Sequence, residues 1–114
     1  MKTVHFIRHG ETEQNALKVW QGHTDTPLNK KGLEQAKLLS ERINSRVTKV
    51  FSSDLKRASQ TASFLSSSSI LRDNLREINV GDFTGMSVKD TYTSNHEIFQ
   101  SLKNDSFQFP NGES

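Results

Sequence analysis

Thr3-Val4-His5-Phe6-Ile7-Arg8-His9-Gly10 decides how the rest of the chain is read. Val4, Phe6 and Ile7, with a β-branched start, have the pattern of a short buried strand over 3–7. Arg8-His9-Gly10-Glu11-Thr12 then breaks the apolar run abruptly. A guanidinium, an imidazole and a glycine thus fall together at a strand end. Arginine binds phosphate oxygens bidentately and stays charged at any working pH. Histidine can act as base, acid or nucleophile near neutrality. Glycine lets the backbone approach a ligand. A surface turn with solvated Arg and His is the bland alternative for these three residues alone.

Outward from this stretch, residues 13–28 read as a long loop, with Gln21-Gly22 and Asp25-Thr26-Pro27 as turn signals. Asn29 is placed to cap a helix over 30–44, whose apolar positions are Leu33, Ala36, Leu39 and Ile43. Val47 to Ser52 reads as a second strand. Asp54 is placed to cap the next helix, striped by Leu55, Ala58, Ala62 and Leu65. Ser66 to Ser69 ends that helix. Residues 70–83 read as extended or irregular, and a weaker helix is expected over 87–103. This alternation is that of an α/β domain with a parallel sheet. Its ligand site belongs beyond the carboxyl ends of the strands. Arg8-His9-Gly10 and Ser52-Ser53-Asp54-Leu55-Lys56-Arg57 both fall there. Arg57 sits in the first turn of its helix, where a cation opposes the helix dipole unless an anion is held nearby. Otherwise it points to water.

Composition narrows the class. The 114 residues suit one domain. There is no cysteine, which excludes a disulfide framework and Cys-ligated metal. No apolar run approaches the ~18 residues of a membrane span, and the N-terminus lacks secretory-signal features. A soluble, cytoplasmic protein without a membrane partner is expected. Fifteen Lys+Arg against 13 Asp+Glu are interleaved, which argues against nucleic-acid binding. The hydrophobic fraction of 32% is low, as if part of a core were absent.

Phe6-Ile7-Arg8-His9-Gly10-Glu11-Thr12, Asn15, Gln21 to Leu28 with Gly32, Ser52 to Ala62, and Leu75 to Gly85 together resemble the histidine phosphatase superfamily, in its phosphoglycerate mutase-like branch. The resemblance implies a three-layer α/β/α fold with a mostly parallel sheet. It implies that His9 takes the phosphoryl group, that Arg8 and Arg57 clamp the phosphate, and that Asn15, Gln21 and Gly22 contact the substrate. Glu77 would protonate the leaving oxygen. Neither metal nor cofactor is implied, and the partner would be a small phosphorylated molecule. His5 reads as structural, His23 as a loop residue and His96 as a solvated helix residue.

The family's second His-Gly motif has no counterpart in this sequence. Pro110-Asn111-Gly112-Glu113-Ser114 reads as a turn and helix start, so the chain is expected to be the N-terminal part of a domain of about 180–200 residues. As such it would be poorly stable and catalytically crippled. The loop Val19 to Leu28 and the segment Leu75 to Phe83 are more like phosphatases, including α-ribazole and broad-specificity types, than mutases. The expected function is phosphomonoester hydrolysis through phosphohistidine. Phosphoglycerate mutase-type transfer, or a non-catalytic phosphate-binding remnant, are the alternatives.

Overall fold

The computed structural model describes residues 3–43, 47–94 and 109–113. Helix α1 spans Glu13–Leu17, α2 Lys30–Ile43, strand β1 Phe51–Ser53, α3 Lys56–Ser63, strand β2 Ile70–Arg72 and α4 Val88–Ser94. Short 3-10 turns cover Asp73–Leu75 and Gly81–Phe83. β1 and β2 pair in parallel, with Phe51 opposite Ile70 and Ser53 opposite Arg72. The fold class is α/β with a parallel sheet, as the alternation of periodicities requires.

The two helices flanking β1 follow their sequence signals closely. Asn29 caps α2, its Oδ1 accepting from the Gly32 N–H at 2.8 Å. The Asn29 N–H in turn donates to the Glu11 carbonyl, and Lys31 pairs with the Glu11 carboxylate at 3.5 Å. These bonds tie the start of α2 to the segment just after His9. Gly10 and Gly32 make the approach possible. A Cβ on Gly10 would overlap the Gly32 backbone, and one on Gly32 would overlap the Glu11 backbone. Behind this contact Leu28, Ala36, Leu55 and Ala62 are buried. Of the predicted α2 stripe, Ala36 is buried, Leu39 and Ile43 are half-buried and Leu33 remains exposed, so only part of it is covered.

A second packing centre lies under the site. Val80, Phe83 and Phe109 are buried, with Trp20 and Ile78 packed against them. Trp20 and Phe83 meet Phe109 edge-on at centroid distances of 5.5 and 5.7 Å. Each such pair adds about 0.5–1.5 kcal/mol beyond area burial. This cluster anchors the loop that carries Gln21 and the segment that carries Glu77 to the same support.

Several expectations are corrected. Residues 3–7 do not form a strand; the sheet of the described residues consists of β1 and β2. Val4 is 72% and Phe6 95% exposed. A strand exists through its ladder bonds, and this apolar segment makes none with β1. β1 is shorter than predicted because β2 offers only three residues to pair with. The loop 13–28 contains α1, nucleated by a reciprocal cap between Thr12 and Asn15. Asp54 does not cap α3. Its carboxylate takes a two-pronged ion pair from Arg76 at 2.6 Å, and the Lys56 N–H is capped instead by Asp25 at 2.7 Å. The last predicted helix is seen as α4; its remainder, with His96, lies outside the described residues.

Candidate active site

β1 runs directly into the turn that starts α3, which places Arg57 in the first turn of that helix. Arg57 is 3% exposed, so it does not point to water. Its guanidinium donates from one terminal nitrogen to the Thr24 carbonyl at 2.7 Å and from the other to the Gly22 carbonyl at 2.6 Å. Burial pulls its pKa down, and the nearby Glu77 and Asp25 carboxylates oppose that pull. Two carbonyls use two of five guanidinium N–H groups, leaving donors for an anion. Thr61, one turn further along α3, accepts the Gly10 N–H at 3.1 Å and donates to the Arg57 carbonyl at 2.7 Å. Through Thr61, the backbone beside His9 is fixed to the helix that carries Arg57.

The His9 ring is half-buried, and its Nδ1 lies 2.6 Å from the Gly10 carbonyl oxygen. A carbonyl only accepts, so Nδ1 carries the proton. In the neutral ring the lone pair is then on Nε2. Burial, first of all, holds the His9 pKa below its ordinary value of 6.5; the Arg57 and Arg8 charges add to this, while the Gly10 bond and Glu77 oppose it. His9 therefore stays neutral to lower pH than a free histidine.

This has a signed consequence. Between the folded pKa and 6.5 the native chain binds fewer protons than the unfolded chain. The contribution of His9 to stability is complete above 6.5 and is lost as pH falls through 6.5 toward the folded value. An NMR titration of the His9 ring is expected to give a midpoint below 6.5. A midpoint above it would mean that the carboxylate of Glu77 outweighs burial.

Arg8, His9, Asn15, Gln21, Gly22, Arg57 and Glu77 all line a single cavity of ≈ 1690 Å³. All seven residues singled out by sequence are thus brought together. Arg8 and Glu77 are exposed at it, Gly22 is buried, and Asn15 and Gln21 are half-buried. Its other walls include His5, Val4, Phe6 and Phe51. The polar rim is braced from below. Thr12, fully buried, donates to the Gln21 side chain at 2.6 Å and accepts from the Asn15 N–H at 3.2 Å. A pocket that gathers two guanidiniums and an imidazole with a free lone pair suits a phosphate ester.

The histidine phosphatase superfamily (branch 1) matches residues 4–114. The chain belongs to that superfamily. It is 36% identical over 103 residues to phosphoglycerate mutase-like protein 4 of Arabidopsis thaliana, covering 84% of this chain and 45% of that protein. It is 40% identical over 86 residues to the probable phosphoglycerate mutase GpmB of Yersinia pestis, covering 71% and 40%. Among solved structures, TTHB049 of Thermus thermophilus superposes with a TM-score of 0.81 at 36% identity, over 95% of this chain and 61% of that one. Mycobacterial hydrolase 1 gives 0.82 at 30%, over 93% and 53%. This histidine phosphatase chain spans less than half the length of the curated relatives it matches.

Sequence reasoning missed the supporting residues Thr12, Thr61, Asp25 and His23. Thr61 lies four residues after Arg57, on the same helix face, which is the one signal that could have drawn it in. The partners of Asp25 and His23 are remote in sequence and left no local trace.

Proposed function

We propose that this chain carries the nucleophile, phosphate clamp and proton donor of a phosphomonoester hydrolase, of the metal-independent kind typified by α-ribazole and broad-specificity phosphatases. The observation that supports it most is the His9 ring: Nδ1 is occupied by the Gly10 carbonyl and the ring lines the same cavity as Arg8 and Arg57. Nε2 attacks phosphorus and forms the N–P bond while the ester P–O bond breaks. The proton of the Glu77 carboxyl goes to the departing alkoxide oxygen. Water then attacks phosphohistidine, giving a proton to the Glu77 carboxylate, and the N–P bond breaks to release inorganic phosphate. Arg8 and Arg57 match the charge on the phosphoryl oxygens throughout, where positioning and electrostatics carry most of the work. Asn15, Gln21 and Gly22 complete the ring of contacts.

Hydrolysis needs water at phosphohistidine. Glu77 lines the same cavity as His9, so its carboxylate can take the proton of the attacking water. Transfer back to a phosphoglycerate is the second reading, favoured by the mutase names of the relatives. A non-catalytic phosphate binder is the third. A 31P NMR time course with a phosphoglycerate separates them. Inorganic phosphate is the expected product. The isomeric phosphoglycerate without free phosphate would establish transfer, and line broadening without any product would establish binding alone.

A further inference from the structure

The loop Gln21 to Asp25 has a contact that the hydrolase scheme does not use. His23 Nε2 lies 2.7 Å from the main-chain carbonyl oxygen of Glu77, a residue 54 positions away. The carbonyl accepts, so Nε2 carries the proton. The same loop holds Arg57 through the carbonyls of Gly22 and Thr24, on either side of His23. Its Asp25 caps α3, and its Gln21 is gripped by Thr12. Among the described residues Glu77 has little else to fix it. It is exposed, lies in a stretch without regular structure, and its own carboxylate accepts the N–H of the next residue, Ile78, at 3.1 Å. The neighbouring Arg76 is tied to Asp54 at the end of β1. Glu77 is therefore suspended between that ion pair and the His23 imidazole.

We infer that His23 is a positioning residue for Glu77, setting the height of its carboxyl over the site through the backbone and coupling it to the loop that also holds Arg57. The inference rests on the reading of Glu77 as proton donor. A misplaced acid harms departure of an alkoxide, which needs a proton, far more than departure of a nitrophenolate, which does not. Rates of His23→Ala, His23→Gln and Glu77→Gln with an alkyl phosphate and with p-nitrophenyl phosphate test it, together with ring 15N spectra of His23. Glu77→Gln is expected to lower alkyl ester turnover by ~10²-fold or more and aryl ester turnover much less. His23→Ala is expected to lower kcat for the alkyl ester about tenfold with KM little changed, because the acid is displaced and not removed. The aryl ester should be nearly unaffected, and His23→Gln, which retains an N–H donor, should restore part of the loss. A split in Glu77→Gln with none in His23→Ala overturns the inference and leaves the proton-donor reading intact. No split in Glu77→Gln overturns that reading itself. Should turnover be too slow to compare, the spectra decide. A neutral ring protonated at Nε2 sustains the inference, and one protonated at Nδ1 ends it.

Discussion

His9→Ala is expected to abolish phosphoryl transfer, by at least ~10⁴-fold in turnover, because no other group described on the cavity offers a lone pair held in the same place. His5 lines the same cavity, but it has no hydrogen bond of the kind that fixes the His9 tautomer among the described residues. The substitution should leave the fold standing. The Gly10–Gly32 contact and the Gly10–Thr61 bond are made by backbone and by Thr61, not by the imidazole. Thermal unfolding of the variant should therefore stay close to that of the parent, with a loss of about 1 kcal/mol for the Nδ1 bond. Initial rates and a melting curve on the same sample check both halves. Turnover retained in a folded His9→Ala chain would show that another residue takes the phosphoryl group.

Arg57→Ala should damage stability and activity together. The guanidinium holds the carbonyls of Gly22 and Thr24 from a buried position. Without it the loop Gln21 to Asp25 loses two of its bonds to α3, leaving the Asp25 cap, the His23 contact and the Thr12–Gln21 bond to hold it. A loss on the order of 3 kcal/mol is expected from two charge-assisted bonds, with a fall in rate of ~10²–10³-fold from the missing positive charge. Arg57→Lys should not rescue. An ammonium is a point donor and cannot span two carbonyls while also facing an anion. Denaturant unfolding and assay at low temperature separate the two effects. A variant equally stable but inactive would mean that the loop is held by other contacts. A variant that is unstable yet as active as the parent would remove Arg57 from the phosphate clamp.

The sequence was most informative where local chemistry and position coincided. Arg8-His9-Gly10 and the run from Ser52 to Arg57 stood out because polar residues follow apolar ones abruptly, and the structure gathers both on one cavity. Helices α2 and α3 were legible through spacing and through the Asn29 cap. Their ends fall within a few residues of expectation. Other features depend on partners that no local pattern encodes. Val4-His5-Phe6-Ile7 has the composition of a buried strand, yet whether such a segment is a strand depends on what pairs with it. Helix α1 has only five residues, too few for a periodic stripe, and its cap uses Asn15 where the usual signal is Glu or Gln. Asp54 lies just before α3 and is the cap expected from sequence, whereas Asp25, which serves, lies 31 residues from the Lys56 N–H it accepts from. Which one serves is decided by Arg76, which captures Asp54 from 22 residues away. The His23–Glu77 contact is illegible for the same reason.

The most direct test is to locate the phosphoryl group. The chain would be exposed to a phosphomonoester, denatured rapidly in alkali to preserve phosphohistidine, and mapped by peptide mass spectrometry and 31P NMR. Phosphorus on Nε2 of His9 is the predicted result, because Nδ1 is committed to the Gly10 carbonyl. Phosphorus on Nδ1 of that ring, or on any other residue, would contradict it.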